Sequence, residues 1–156
     1  MFFRTVSFAA ILLLSMIVLA PATSARANIN DMQGCQAMIM FVDGKLDTVK
    51  GKKAQVKAVR KGLNAYDRFI QNTVISPGLL EFNSGDKGKA SVMQGQVDAY
   101  KSGLVAQLNK RYPQGGMFTD YAASLNNCAK KAVPSGGALE DLQAALETIT
   151  ALAQSR

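Results

Sequence analysis

The sequence predicts an all-α fold, a compact bundle of about five amphipathic helices stapled by one disulfide. Three observations predict it. Apolar residues recur at spacings of three and four in five segments, clusters of Gly, Pro and Ser separate those segments, and no stretch alternates apolar and polar residues as a half-buried strand does.

The first helix is expected from about Asn30 or Asp31, either of which can cap it, to Asp43-Gly44. Cys35, Met38, Ile39, Val42 and Leu46 share one stripe, so Cys35 faces inward. The second, from Lys52 to Ile75, has the strongest periodicity of the chain: Val56, Val59, Leu63, Tyr66, Ile70 and Val74. Ser76-Pro77-Gly78 is expected to stop it. Lys53, Lys57, Arg60, Lys61, Asn64 and Arg68 fall on a second side, and Ala58, Gly62, Ala65 and Phe69 on a third. Such a helix can be contacted on two sides and wetted on one.

Leu79 to Gly88 reads as a loop whose Leu79, Leu80 and Phe82 tuck back onto the core. A third helix is expected from Ala90 to Tyr112, where Pro113 ends it, with Met93, Val97, Tyr100, Leu104 and Leu108 on one face. The fourth, Thr119 to Ala132, places Phe118, Tyr121, Leu125, Cys128 and Ala132 on a narrow arc, so Cys128 also points inward. After Pro134-Ser135-Gly136-Gly137 a last helix, Ala138 to Ala153, carries Leu139, Leu142, Leu146, Ile149 and Ala153.

Ahead of these segments, residues 1–27 have the layout of a secretory signal peptide: Arg4 in the leader, an apolar run from Phe8 to Ala20, and small residues before Asn28. Ala25-Arg26-Ala27 favours cleavage after Ala27 over the poorer site at Ala20-Pro21-Ala22. As a helix the apolar run spans about 20 Å, short of the ~30 Å hydrocarbon core, so it does not read as a membrane anchor. Met32-Gln33-Gly34-Cys35 lies too far past it to be a lipidation signal. The expected product is exported, to the periplasm or beyond, as a single helical domain of residues 28–156.

Of 156 residues, removal of 27 leaves 129, enough for one core. Of 18 Lys and Arg, loss of Arg4 and Arg26 leaves 16 against 11 Asp and Glu, a net charge of +5 that favours anionic partners. Export, the absence of Trp and the lack of a basic, aromatic stacking platform argue against nucleic acid as a partner. Two cysteines, Cys35 and Cys128, form an even pair suited to an oxidising compartment, with two buried free thiols as the alternative.

The absence of histidine removes the commonest catalytic base, the zinc spacings and Cys-x-x-Cys-His haem attachment, so no metal or cofactor is expected. Asp43, Asp47, Asp67, Glu81, Asp86, Asp98 and Asp120 could supply a carboxylate pair, yet nothing in the sequence pairs any two of them. Gly85-Asp86-Lys87-Gly88-Lys89 lacks the spacing and preceding strand of a phosphate loop, and Met38 and Met40 read as core filler. The expectation is a non-enzymatic protein. Its partner-binding candidate is the basic side of the second helix, Lys53, Lys57, Arg60, Lys61 and Arg68, which suits an acidic protein or anionic headgroups. Association with a second copy is compatible with the same features.

The early Cys35, the amphipathic helices, Lys110-Arg111-Tyr112-Pro113 leading into Asp120-Tyr121-Ala122-Ala123, and Cys128 near a helix end resemble the small periplasmic immunity proteins that neutralise type VI secretion amidases. The likeness spans most of residues 35–128. It implies an exported helical domain that binds a macromolecular partner, although this chain runs on by a further helix and lacks the extra cysteines of many members. A second likeness is to small periplasmic acid-stress chaperones, helical with one disulfide, which implies a factor that holds unfolded clients.

Overall fold

The computed structural model describes residues 28–114 and 116–155, and within them the chain is helical without strands. The leader lies outside the described residues. Helix α1 spans Ile29–Leu46, with the Asn28 side chain accepting the Asp31 backbone N–H at 2.7 Å as its cap. It is buried nearly all round, with Met32, Cys35, Ala37, Ile39, Phe41, Val42 and Leu46 inside, so it is the central helix of the bundle. It runs past Asp43-Gly44 because Leu46 still has core to bury.

Helix α2, Lys53–Ile70, buries Val59, Leu63, Tyr66 and Ile70 as the periodicity predicts. Its small-residue side receives α6, Gly137–Gln154, in the most extensive helix pair of the fold. α6 turns Leu142, Ala145, Ile149 and Leu152 fully inward, while Leu139, Leu146 and Ala153 are half-buried. The buried line is rotated toward Ala145 by the close approach of the two helices at Gly62.

The expected stop at Ser76-Pro77-Gly78 does not occur. One wide π turn, Gln71–Ile75, joins α2 to α3, Ser76–Phe82, without a break. Pro77 has no N–H to give and its ring clashes with an ordinary helical turn. The π turn, in which the Ser76 N–H reaches back to the Gln71 carbonyl, accommodates that defect inside the rod. Between Leu79 and Gly88 only residues 83–86 are non-helical, so the expected loop is corrected to a short turn. Leu79 is buried as expected, but Phe82 is 74% exposed and does not tuck back.

Helix α4, Lys87–Arg111, starts three residues ahead of Ala90 because Asp86 caps it, accepting the Lys89 N–H at 3.0 Å. It lies on α1 and α3 along Met93, Val97, Leu104 and Leu108. Tyr100, expected on that stripe, is 56% exposed. Helix α5, Phe118–Lys131, buries Phe118, Tyr121, Leu125 and Cys128. The rod from α2 through α3 counts as one, so five helical rods make the bundle among the described residues. Cys35 of α1 and Cys128 of α5 are joined in a disulfide with their Cα atoms 5.7 Å apart. Beside it the buried Tyr66 hydroxyl donates to the Ala132 carbonyl at 3.1 Å, tying α2 to the end of α5.

Candidate functional site

The five basic residues of α2 do not form one continuous free surface. Arg60 turns back onto α1, its Nε donating to Asp43 Oδ1 at 2.9 Å and its Nη2 to Asp47 Oδ1 at 2.5 Å. These two bonds, Asp47 first, hold its pKa above the ordinary guanidinium value. Lys61 Nζ pairs with Asp141 Oδ1 of α6 at 2.6 Å. Arg68 is exposed, eleven residues or about 16 Å beyond Lys57 along the helix.

Lys53 and Lys57 remain together, one turn apart and exposed, and neither joins an ion pair among the described residues. Lys50 is exposed just ahead of them, and Lys52 is half-buried with its ammonium on the Ser155 hydroxyl. This end of α2 has no acidic residue in its first turn and no side-chain cap. Lysines and the positive end of the helix dipole therefore reinforce one another there. The sequence carries the signal, four lysines in the eight residues from Lys50 to Lys57, but helical phase alone spreads the candidates along α2 from Lys53 to Arg68. The acids that neutralise Arg60 and Lys61 come from α1, the turn after it and α6, and no local pattern announces them.

The candidate carboxylates are dispersed into other tasks. Asp43 and Asp47 share the Arg60 guanidinium, Asp86 caps α4, and Asp120 lies in the first turn of α5. Asp67 and Asp98 belong to a polar seam where α1, the π turn and α4 meet. Gln36, 1% exposed, donates to Gln71 Oε1 at 3.3 Å, and Gln71 donates to Gln94 Oε1 at 2.8 Å. Gln94 and Lys101 both donate to Asp98, at 3.1 and 3.0 Å. Burial raises the pKa of Asp67 above the usual carboxylate value, against the lowering effect of Lys101 and of a hydrogen bond from Gln36. Gln36 Oε1 is buried without a hydrogen-bond partner.

Among the described residues no cluster of three or more His, Cys, Asp or Glu side chains could hold a metal, and no helix is long and apolar enough to cross a membrane. Compared with family models, curated proteins and solved structures, the chain matches none.

Proposed function

We propose that this is an exported, non-enzymatic protein that binds an acidic macromolecular partner, in the manner of a periplasmic immunity protein. The observation that carries the reading is the uncompensated pair Lys53 and Lys57 at an uncapped helix start, with Lys50 beside them. A basic rim of this kind steers an acidic partner and fixes its orientation more than it adds raw affinity. The five-residue surface of the sequence reading contracts to this end of α2, because Arg60 and Lys61 are already engaged.

The test is affinity capture from envelope extract with the wild type and a Lys50→Gln, Lys53→Gln, Lys57→Gln variant. A single captured species, released at about 1 M salt where the Debye length falls to ~3 Å, and lost from the variant, supports the reading. Equal capture by both proteins removes the basic end from it.

A second reading, a factor that holds unfolded clients, is favoured by the exposed Phe82, Val92 and Tyr100 of α3 and α4, at 74%, 68% and 56%. Such a factor suppresses aggregation of several unrelated clients. One saturable partner argues against it.

A further inference from the structure

Between α1 and α4 lies a hollow of about 270 Å³. Apart from the Gln107 amide and Arg111 its walls are apolar: Ala37 and Met38 from α1, Leu104 and Leu108 from α4. Gly34 of α1 lines it too, and a Cβ built there would meet no atom within 4 Å. Glycine is the poorest helix former after proline. No neighbour in the fold requires one at this position, so its effect is to keep the hollow open.

One charged group stands at the hollow, Arg111 in the last turn of α4. Its guanidinium lies 5.5 Å from the centre of the Tyr112 ring, which orients it, and it joins no ion pair among the described residues. An apolar recess with a single oriented guanidinium is complementary to an aliphatic chain that ends in a planar anion, because the guanidinium fork matches a carboxylate in two parallel hydrogen bonds. A cationic amphiphile is repelled there. The adjoining hollow shares Met38, Leu108 and Arg111 but carries Asp120, so an anionic head sits on the Gly34 side of Arg111 with its chain directed away from that carboxylate.

From this geometry we infer that the α1–α4 hollow binds the alkyl chain of a fatty carboxylate, with the carboxylate on Arg111. Met38 reports on it directly. The oxidised protein, labelled with ¹³C in its methionine methyl groups, is titrated with decanoate below its aggregation range, Met38 being assigned with Met38→Leu. The expected result is a saturable shift of the Met38 methyl signal that Arg111→Gln weakens by about ten-fold, the loss of one charge-assisted bidentate pair. Decyl maltoside, with the same chain and an uncharged head, binds more weakly by a similar factor. Gly34→Leu fills the hollow and removes the shift with an unchanged melting profile. An unmoved Met38 signal overturns the inference, as does equal binding of decanoate and decyl maltoside, or an Arg111→Gln protein that binds decanoate like the wild type. Should Gly34→Leu fold poorly, the exposed Arg111 position still decides the question. Lys53→Gln, Lys57→Gln protein is expected to bind decanoate normally, so failure here and failure of the acidic-partner reading are separable.

Discussion

A Cβ on Gly62 of α2 would lie 2.1 Å from the carbonyl oxygen of Asp141 and 2.5 Å from the Cβ of Ala145, both on α6. Backbone of one helix thus occupies the space where the other would carry a side chain. Gly62→Ala must push α6 away along its whole length, which outweighs the better helix propensity of alanine. The expected loss is about 2 to 3 kcal/mol, read by urea unfolding. Gly95→Ala on α4, where a Cβ meets nothing within 4 Å, is the control and is expected to gain roughly 0.5 to 1 kcal/mol.

The disulfide closes a loop of 93 residues. In the chain-entropy account a loop of that size contributes about 4 to 5 kcal/mol by restricting the unfolded chain. Cys35→Ser, Cys128→Ser protein, and wild type under reductant, are therefore expected to unfold at much lower denaturant than the oxidised form. Two thiols that react freely in the purified, unreduced protein would contradict the pairing.

Asp67 gives stability an opposite pH dependence from that of a salt-bridged carboxylate. Burial raises its pKa in the folded state, so the folded protein binds this proton more readily than the unfolded one. The contribution is full below the ordinary carboxylate value of 3.8 and is lost as pH rises through the elevated folded value. Of the groups that face it, Lys101, Gln36 and Arg68 oppose the shift and Asp98 adds to it, and burial outweighs the opposing three. Asp67→Asn is expected to be more stable than wild type at pH 7 and to lose that advantage near pH 3. Urea unfolding across the range checks the sign. A variant least stable relative to wild type at pH 7 would show the carboxylate to be held charged by Lys101. The direction also means that acid does not open the bundle through this residue.

Neutralising the basic side of α2 is expected to separate its members by what each touches. Lys53→Gln and Lys57→Gln should each change stability by under about 0.5 kcal/mol, as exposed positions do. Arg60→Gln removes two bonds that hold Asp43 and Asp47, and Lys61→Gln one bond to Asp141; each should cost more, though under about 1 kcal/mol. Thermal denaturation ranks them. If Lys53 and Lys57 proved the costlier pair, they would be packed or paired and not solvated.

Much of the fold was legible because burial in a helix is written as period. Val59, Leu63, Tyr66 and Ile70 on α2, and Phe118, Tyr121, Leu125 and Cys128 on α5, are inside as their spacing requires. Pro77 was misread because a proline argues against an ordinary helical turn, whereas a π turn is a tertiary solution invisible to local propensity. Tyr100 shares the period of the α4 stripe yet is 56% exposed, because period fixes a face of the helix but not how far the neighbouring helices cover it. The basic candidates were readable as residues. Their pairing with Asp43, Asp47 and Asp141 was not, since those acids reach α2 only through the packing of other helices.

The position of the two cysteines also decides how the molecule bears tension. The covalent ring from Cys35 to Cys128 encloses α2, α3 and α4, while α6 lies outside it, held to α2 and α5 by packing and by the Lys61–Asp141 ion pair, with no covalent cross-link. A chain drawn out by its two ends gives up α6 and the first turns of α1, after which the load passes through the sulfur atoms. The 93-residue segment between them is never stretched, and about 300 Å of contour length stays hidden until the bond is reduced. Single-molecule extension of oxidised and reduced protein is expected to differ by that length. For any machine that threads polypeptide from an end, this domain is a short tether ending in a knot that only a reductant unties.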